Sequence, residues 1–198
     1  MKRLIRLAAF FTAFCLLLPA YAHAEPLETT CPLTLTAPSA LLMEAHTGTV
    51  IFEKNAQEAR PAASITKLMT LLLTFERLAD QTITLQDPVT VSANAARQTG
   101  SQAFLDASST YTVEQLLKAT VISSANDAAV ALAEHLAGTE ESFVRQMNEK
   151  AAQLGLTDTH FTNPHGLDNP DHYTTALDLA RLTAYALDNP VFAEIAST

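Results

Sequence analysis

Pro61-Ala62-Ala63-Ser64-Ile65-Thr66-Lys67-Leu68-Met69-Thr70 is the stretch around which the rest of the chain is read. It runs into an apolar segment, Leu68 to Phe75, that predicts a helix from Ser64 to about Leu78. Residues three apart at the start of a helix share a face, so Ser64 and Lys67 become neighbours. A helix N-terminus also presents backbone N–H groups and partial positive charge. A nucleophile, a base and an anion-friendly site therefore fall within one turn. Serine needs a neighbouring base to attack, and a desolvated lysine can be one. An S-x-x-K spacing arises by composition about once in a chain this long, so its weight depends on what surrounds it.

Upstream, Lys2, Arg3 and Arg6 precede the apolar Leu7 to Leu18, and Ala22-His23-Ala24 forms a small-residue cleavage box. Residues 1–24 read as a secretory signal, with the mature chain, residues 25–198, exported to the periplasm or cell envelope. Removing three basic residues makes the chain more negative than its formal charge of −9. Such an acidic chain is not expected to bind nucleic acid, which demands basic patches. Cys15 lies in the signal, so Cys31 alone would survive and no intrachain disulfide is expected. Apart from the signal, no segment is apolar enough for a membrane span.

Downstream, two short apolar runs flank His46-Thr47-Gly48 and predict a β-hairpin over Ala40 to Lys54. Thr82 to Ser92 reads as strand and loop. Thr112-Val113-Glu114-Gln115 is a capping box for a helix reaching about Ile122. Further helices are expected over Asn126 to His135, over Glu140 to Leu154, and after a second capping box at Thr175-Ala176-Leu177-Asp178. Pro190 opens a short final one. The pattern is α+β, rich in helices, with early strands.

Ser124-Ala125-Asn126 is the second constellation. A loop serine and asparagine between two helices can place a hydroxyl to relay a proton and an amide to hold a carbonyl. The same residues also make ordinary helix caps. Ser92-Ala93-Asn94 has the same spacing and is read as a cap.

Taken in order, these segments resemble the serine D-alanyl-D-alanine carboxypeptidases, the low-molecular-mass penicillin-binding proteins of peptidase family S11. The resemblance rests on Pro61 to Thr70, on Leu116-Leu117-Lys118-Ala119, and on Ser123-Ser124-Ala125-Asn126-Asp127-Ala128-Ala129 through His135. It continues through Phe143, Met147-Asn148 and Leu154-Gly155-Leu156 to His160-Phe161-Thr162-Asn163-Pro164-His165-Gly166-Leu167 and His172-Tyr173-Thr174-Thr175-Ala176. S-x-x-K followed by a serine–asparagine motif belongs to these enzymes and to class A β-lactamases. Two features depart from the pattern. Ala125 stands where many members have glycine. The third motif, K-T-G, is missing, because the only lysines after Lys67 are Lys118 and Lys150 and neither precedes Thr-Gly.

The resemblance implies a β-lactamase/DD-peptidase-like fold, helices packed on an antiparallel sheet, with this chain ending before the third-motif strand. Residues 25–198 would be the catalytic domain without its C-terminal part. Alone they would expose apolar helix faces, fold poorly and be inactive. Any membrane anchor would lie in a C-terminal segment outside this chain. The implied reaction is hydrolysis of the terminal D-Ala-D-Ala bond of peptidoglycan pentapeptides. Ser64 would be the nucleophile, Lys67 the general base and Ser124 the proton relay. Asn126 would bind substrate, and His165 would assist in binding or deacylation or serve as a structural histidine bonded to backbone groups. β-Lactams would acylate Ser64. No cofactor and no metal is implied, and the spacing of His160, His165 and His172 matches no zinc motif. A β-lactamase fits less well, since the Asn-Pro-His-Gly-Leu segment belongs to the carboxypeptidases. A D,D-endopeptidase acting on cross-links would use the same residues. A non-hydrolytic β-lactam sensor or cell-wall binding module is the reading from another class.

Overall fold

The computed structural model describes residues 34–190 and Phe192. The segment read as a secretory signal, both cysteines and most of the helix expected after Pro190 lie outside them.

The hairpin forms as expected. β1 (Ala40–Met43) pairs antiparallel with β2 (Val50–Lys54), with Ala40 opposite Lys54 and an irregularity between Leu42 and Met43. Gly48, at φ 70°, supplies the left-handed residue that its turn requires. Next, Ala63–Thr66 is a 3₁₀ turn that leads directly into α1 (Lys67–Ala79). The α-helix therefore starts at Lys67 and not at Ser64 as the periodicity predicted. In a 3₁₀ turn, residues i and i+3 nearly eclipse one another, which draws Ser64 and Lys67 closer than an α-turn would.

Of Thr82 to Ser92, only β3 (Pro88–Thr90) is strand, and α2 (Ala93–Ala96) follows it. β3 pairs with β4 (Thr110–Thr112) in a second two-stranded sheet that the sequence reading missed. At three residues each, these strands are too short to show alternation. α3 (Val113–Ile122), α4 (Asn126–Ala137), α5 (Glu140–Gln153) and α6 (Ala176–Leu187) complete the order.

The caps show why the helices start where they do. Thr112 and Gln115 exchange side-chain and backbone bonds of 3.2 and 2.9 Å, a complete capping box. Thr139 and Thr175 each accept from the backbone N–H three residues on. At Thr175 the box is incomplete. The Asp178 carboxylate instead takes Asp158 N–H at 3.0 Å and the Thr159 hydroxyl at 2.8 Å, pinning the loop before the helix.

Two helices run through the core. α1 is buried without interruption from Met69 to Phe75, and α4 from Asn126 to Ala133. A helix apolar on all sides is an interior helix. Phe75, Phe143, Phe161, Met69, Leu72, Leu116 and Leu132 are the largest wholly buried side chains around them. Each contributes about 1.5–3 kcal/mol relative to exposure. The amphipathic α3, α5 and α6 cover this pair. Apolar surface stays open on the hairpin, where Leu42 and Ile51 are each 53% exposed. A groove between β1 and α6 is lined by Leu41, Leu42, Met43, Ala180, Ala184 and Leu187. No helix among the described residues is long and apolar enough to cross a membrane.

Candidate active site

Ser64 lies in the 3₁₀ turn, and Lys67 is the first residue of α1. Lys67 Nζ stands 3.4 Å from Ser64 Oγ and donates at 3.0 Å to the backbone carbonyl of His165. Lys67 is 4% exposed, and burial pushes its pKa down to about 8. The cause is desolvation, since an ammonium removed from water favours losing its proton. About a tenth of Lys67 is thus neutral near pH 7, with a lone pair able to accept the serine proton.

The turn is held from the other side by the segment from Phe161 to Tyr173. Thr70 donates to the Pro164 carbonyl at 2.6 Å, and Lys67 reaches the carbonyl of His165. A Cβ on Gly166 would overlap the carbonyl of Ala63, and Gly166 sits at φ 91°. Only glycine allows that approach and that dihedral together. Ala63 is itself left-handed at φ 46°, an unfavourable conformation placed immediately before Ser64.

Ser64 borders two clefts. The first, about 420 Å³, is walled by Leu68, Leu71, Phe75 and Val121, and Lys67 and Ser124 open onto it. The second, about 600 Å³, is lined by Gly100, Ser101, Asn126, His165 and Leu167. Ser124 is in the left-handed region at φ 52°, and the N-cap of α4 is Ala125, which makes no side-chain cap bond. The cap reading of Ser124 and Asn126 therefore fails. At the other S-x-N it holds: Ser92 accepts from Ala95 N–H at 2.9 Å. Asn94 there donates to Glu134 and Glu140, tying α2 to α4 and α5.

Asn126 is aimed by the loop that rims the second cleft. Its side-chain N–H donates to Thr99 O at 2.6 Å, and its backbone N–H donates to Ser101 O at 2.7 Å. Next to it, the fully buried Asp127 accepts from Ala103 and Leu105 N–H, both at 3.0 Å. Sequence reasoning took Asp127 only as part of a motif. Its signal was an acidic residue in a helix's first turn, which is common enough to carry little weight.

His165 lines the second cleft and is held by hydrogen bonds. Its carbonyl serves Lys67, while ring Nδ1 accepts from Leu167 N–H at 3.2 Å and Nε2 lies 3.9 Å from Glu140. Burial pushes its pKa down to about 4, with the Lys67 charge adding to the effect, so the ring is neutral. His160 is engaged as well, with Nδ1 2.6 Å from Asp171 O.

A strained serine turn with a buried lysine, an S-x-N loop across one cleft and an Asn-Pro-His-Gly strap behind it match a known pattern. The profile of the family described as D-alanyl-D-alanine carboxypeptidase, peptidase S11, covers residues 25–198. The chain belongs to the D-alanyl-D-alanine carboxypeptidase family. It is 42% identical over 180 residues to the D-alanyl-D-alanine carboxypeptidase DacF of Bacillus subtilis, covering 91% of this chain and 46% of that one. The crystal structure of the carboxypeptidase DacD of Francisella tularensis superposes with a TM-score of 0.81 at 33% identity, over 83% of this chain and 40% of the other. Penicillin binding protein 5 of Haemophilus influenzae gives 0.80 at 36%, over 83% and 49%. The chain spans about half the length of the curated relatives it matches. The α+β, DD-peptidase-like fold expected for a carboxypeptidase of this family is the fold observed.

Proposed function

We propose that the protein hydrolyses the terminal D-Ala-D-Ala bond of peptidoglycan stem peptides through an acyl-enzyme on Ser64. The observation that carries this reading is the buried Lys67 amine, with its pKa near 8, 3.4 Å from Ser64 Oγ. Neutral Lys67 takes the serine proton as Ser64 attacks the carbonyl carbon. The Ser64 backbone N–H supports the oxygen that gains negative charge, a contribution of about 3 kcal/mol for one such donor. Ser124, on the same cleft, passes a proton to the departing D-alanine. Asn126 holds the substrate amide from the second cleft. Water then releases the acyl group, and neither a cofactor nor a metal has a step to perform.

β-Lactams, which resemble the terminal dipeptide, acylate the same serine in this reading. Support comes from the relatives' names, which are D-alanyl-D-alanine carboxypeptidases and a penicillin binding protein. The substrate lies outside the cytoplasm, which agrees with export directed by residues 1–24 and with action in the cell envelope.

Labelling of the full-length gene product with a fluorescent penicillin, beside Ser64→Ala, tests this. Labelling that vanishes in the variant is the expected result. A folded wild-type protein that takes no label overturns it.

A further inference from the structure

One buried histidine has no part in the chemistry above. His172 is 4% exposed, and its Nε2 lies 2.7 Å from the hydroxyl of Thr66, which is wholly buried. The two residues are 106 positions apart. Thr66 lies between Ser64 and Lys67 in the 3₁₀ turn. On the far side of the ring, Nδ1 accepts from the Thr162 backbone N–H at 3.1 Å. A backbone N–H can only donate, so Nδ1 carries no proton and the proton sits on Nε2. Nε2–H therefore donates to Thr66. The ring is fixed edge-to-face against Phe161, with centroids 5.8 Å apart.

We propose that His172 is a positioning residue for the nucleophile turn, holding Thr66, and with it Ser64 and Lys67, through an Nε2–H donor anchored by Thr162. This rests on the acylation reading for its effect on rate. The other contacts of the strap fix neighbouring points: Pro164 on Thr70, His165 on Lys67, Gly166 on Ala63. The histidine contact alone depends on a proton count. A second proton on Nδ1 would face the Thr162 N–H, donor against donor, and the ring would have to shift towards the Thr162 hydroxyl, 3.2 Å from Nδ1, to find an acceptor. Burial already disfavours that proton, His160 opposes it and Asp168 favours it. Of the other titratable groups nearby, His165 interacts with both His172 and Lys67. Acid should thus loosen the turn.

The test measures the rate of Ser64 acylation by fluorescent penicillin in the full-length protein, as a function of pH. His172→Phe keeps an aromatic ring without the donor and should slow acylation about tenfold, as should Thr66→Val. The double variant should be little slower than either alone, because both remove one contact. His172→Gln offers an N–H but cannot titrate, so it should restore much of the rate and remove the steepest part of the acid limb. Ring ¹⁵N spectra should show the Nε2–H tautomer, with a shifted Nε2 signal in Thr66→Val. Wild-type rate and pH profile in His172→Phe, additive losses in the double variant, or an Nδ1–H tautomer would each overturn the proposal. Should wild-type protein fail to label, the acylation reading falls, and the tautomer spectra still decide whether the contact exists.

Discussion

Gly166 touches the backbone carbonyl of Ala63 so closely that even one methyl group would collide with it. This contact joins the strap to the left-handed residue before Ser64, and it turns the placement of the nucleophile into a matter of tertiary packing. The obstacle is backbone, which cannot swing away as a flexible side chain would.

Gly166→Ala should therefore be among the most damaging single-methyl changes in the protein. It adds a Cβ at φ 91° and forces Ala63 to move. A loss of about 3 kcal/mol or more is expected from overpacking and backbone strain together. Thermal melts of the full-length protein should show it, and penicillin labelling should fall further than the melt explains. A variant that melts and labels like wild type would mean the contact relaxes cheaply.

Lys67 sets an ascending pH limb. With its pKa pushed down to about 8, the neutral fraction grows as pH rises towards and through that value. Acylation rates should climb from pH 6 by close to tenfold per unit and level off above about pH 8. Stability should also rise with pH above about 8, because the unfolded chain holds this proton up to its ordinary range near 10.4. A rate independent of pH across this window would remove Lys67 from the role of base.

His165 sets an acid limit on stability. Its folded pKa of about 4 lies below the ordinary value of 6.5, so between these values the unfolded chain binds more protons. Stability is fully present above about pH 6.5 and declines as pH falls towards 4, by a total of the order of 3 kcal/mol. Denaturant midpoints of wild type and His165→Asn, followed from pH 7 to 4, should converge as pH falls. Parallel curves would show that some other group carries the acid sensitivity.

The two S-x-N serines should separate cleanly. Ser92→Ala removes a helix cap and should cost about 1 kcal/mol with labelling unchanged. Ser124→Ala removes no cap and should leave the melt nearly unchanged, yet slow acylation by about two orders of magnitude if it relays a proton. Equal effects of the two variants on activity would undo the distinction.

Much of this organisation was legible in the chain. Cap residues at Thr112 and Thr175, the hairpin turn at Gly48 and the apolar run after Lys67 are local signals, read within a few residues of each other. Ser64 and Lys67 are three apart, so helical geometry of either kind brings them together without help from the rest of the fold. What could not be read this way is everything that crosses long stretches of chain. The S-x-N spacing by itself does not distinguish Ser124 from Ser92; the family resemblance of the flanking residues did. Their backbones do so only once α4 starts at Asn126 while Ser124 turns left-handed over the cleft. Likewise, the 3₁₀ first turn is contacted at Ala63, Thr66 and Lys67 by the strap from the Pro164–His172 side, contacts that no local window contains. Local hydrogen bonding and periodicity determined which elements form and which side chains neighbour one another along them. The tertiary structure alone decided how Ser124 meets the lysine's cleft, how dry that lysine is and hence its proton affinity. Burial and close approach are properties of segments that meet in space, and no short window of sequence contains both partners.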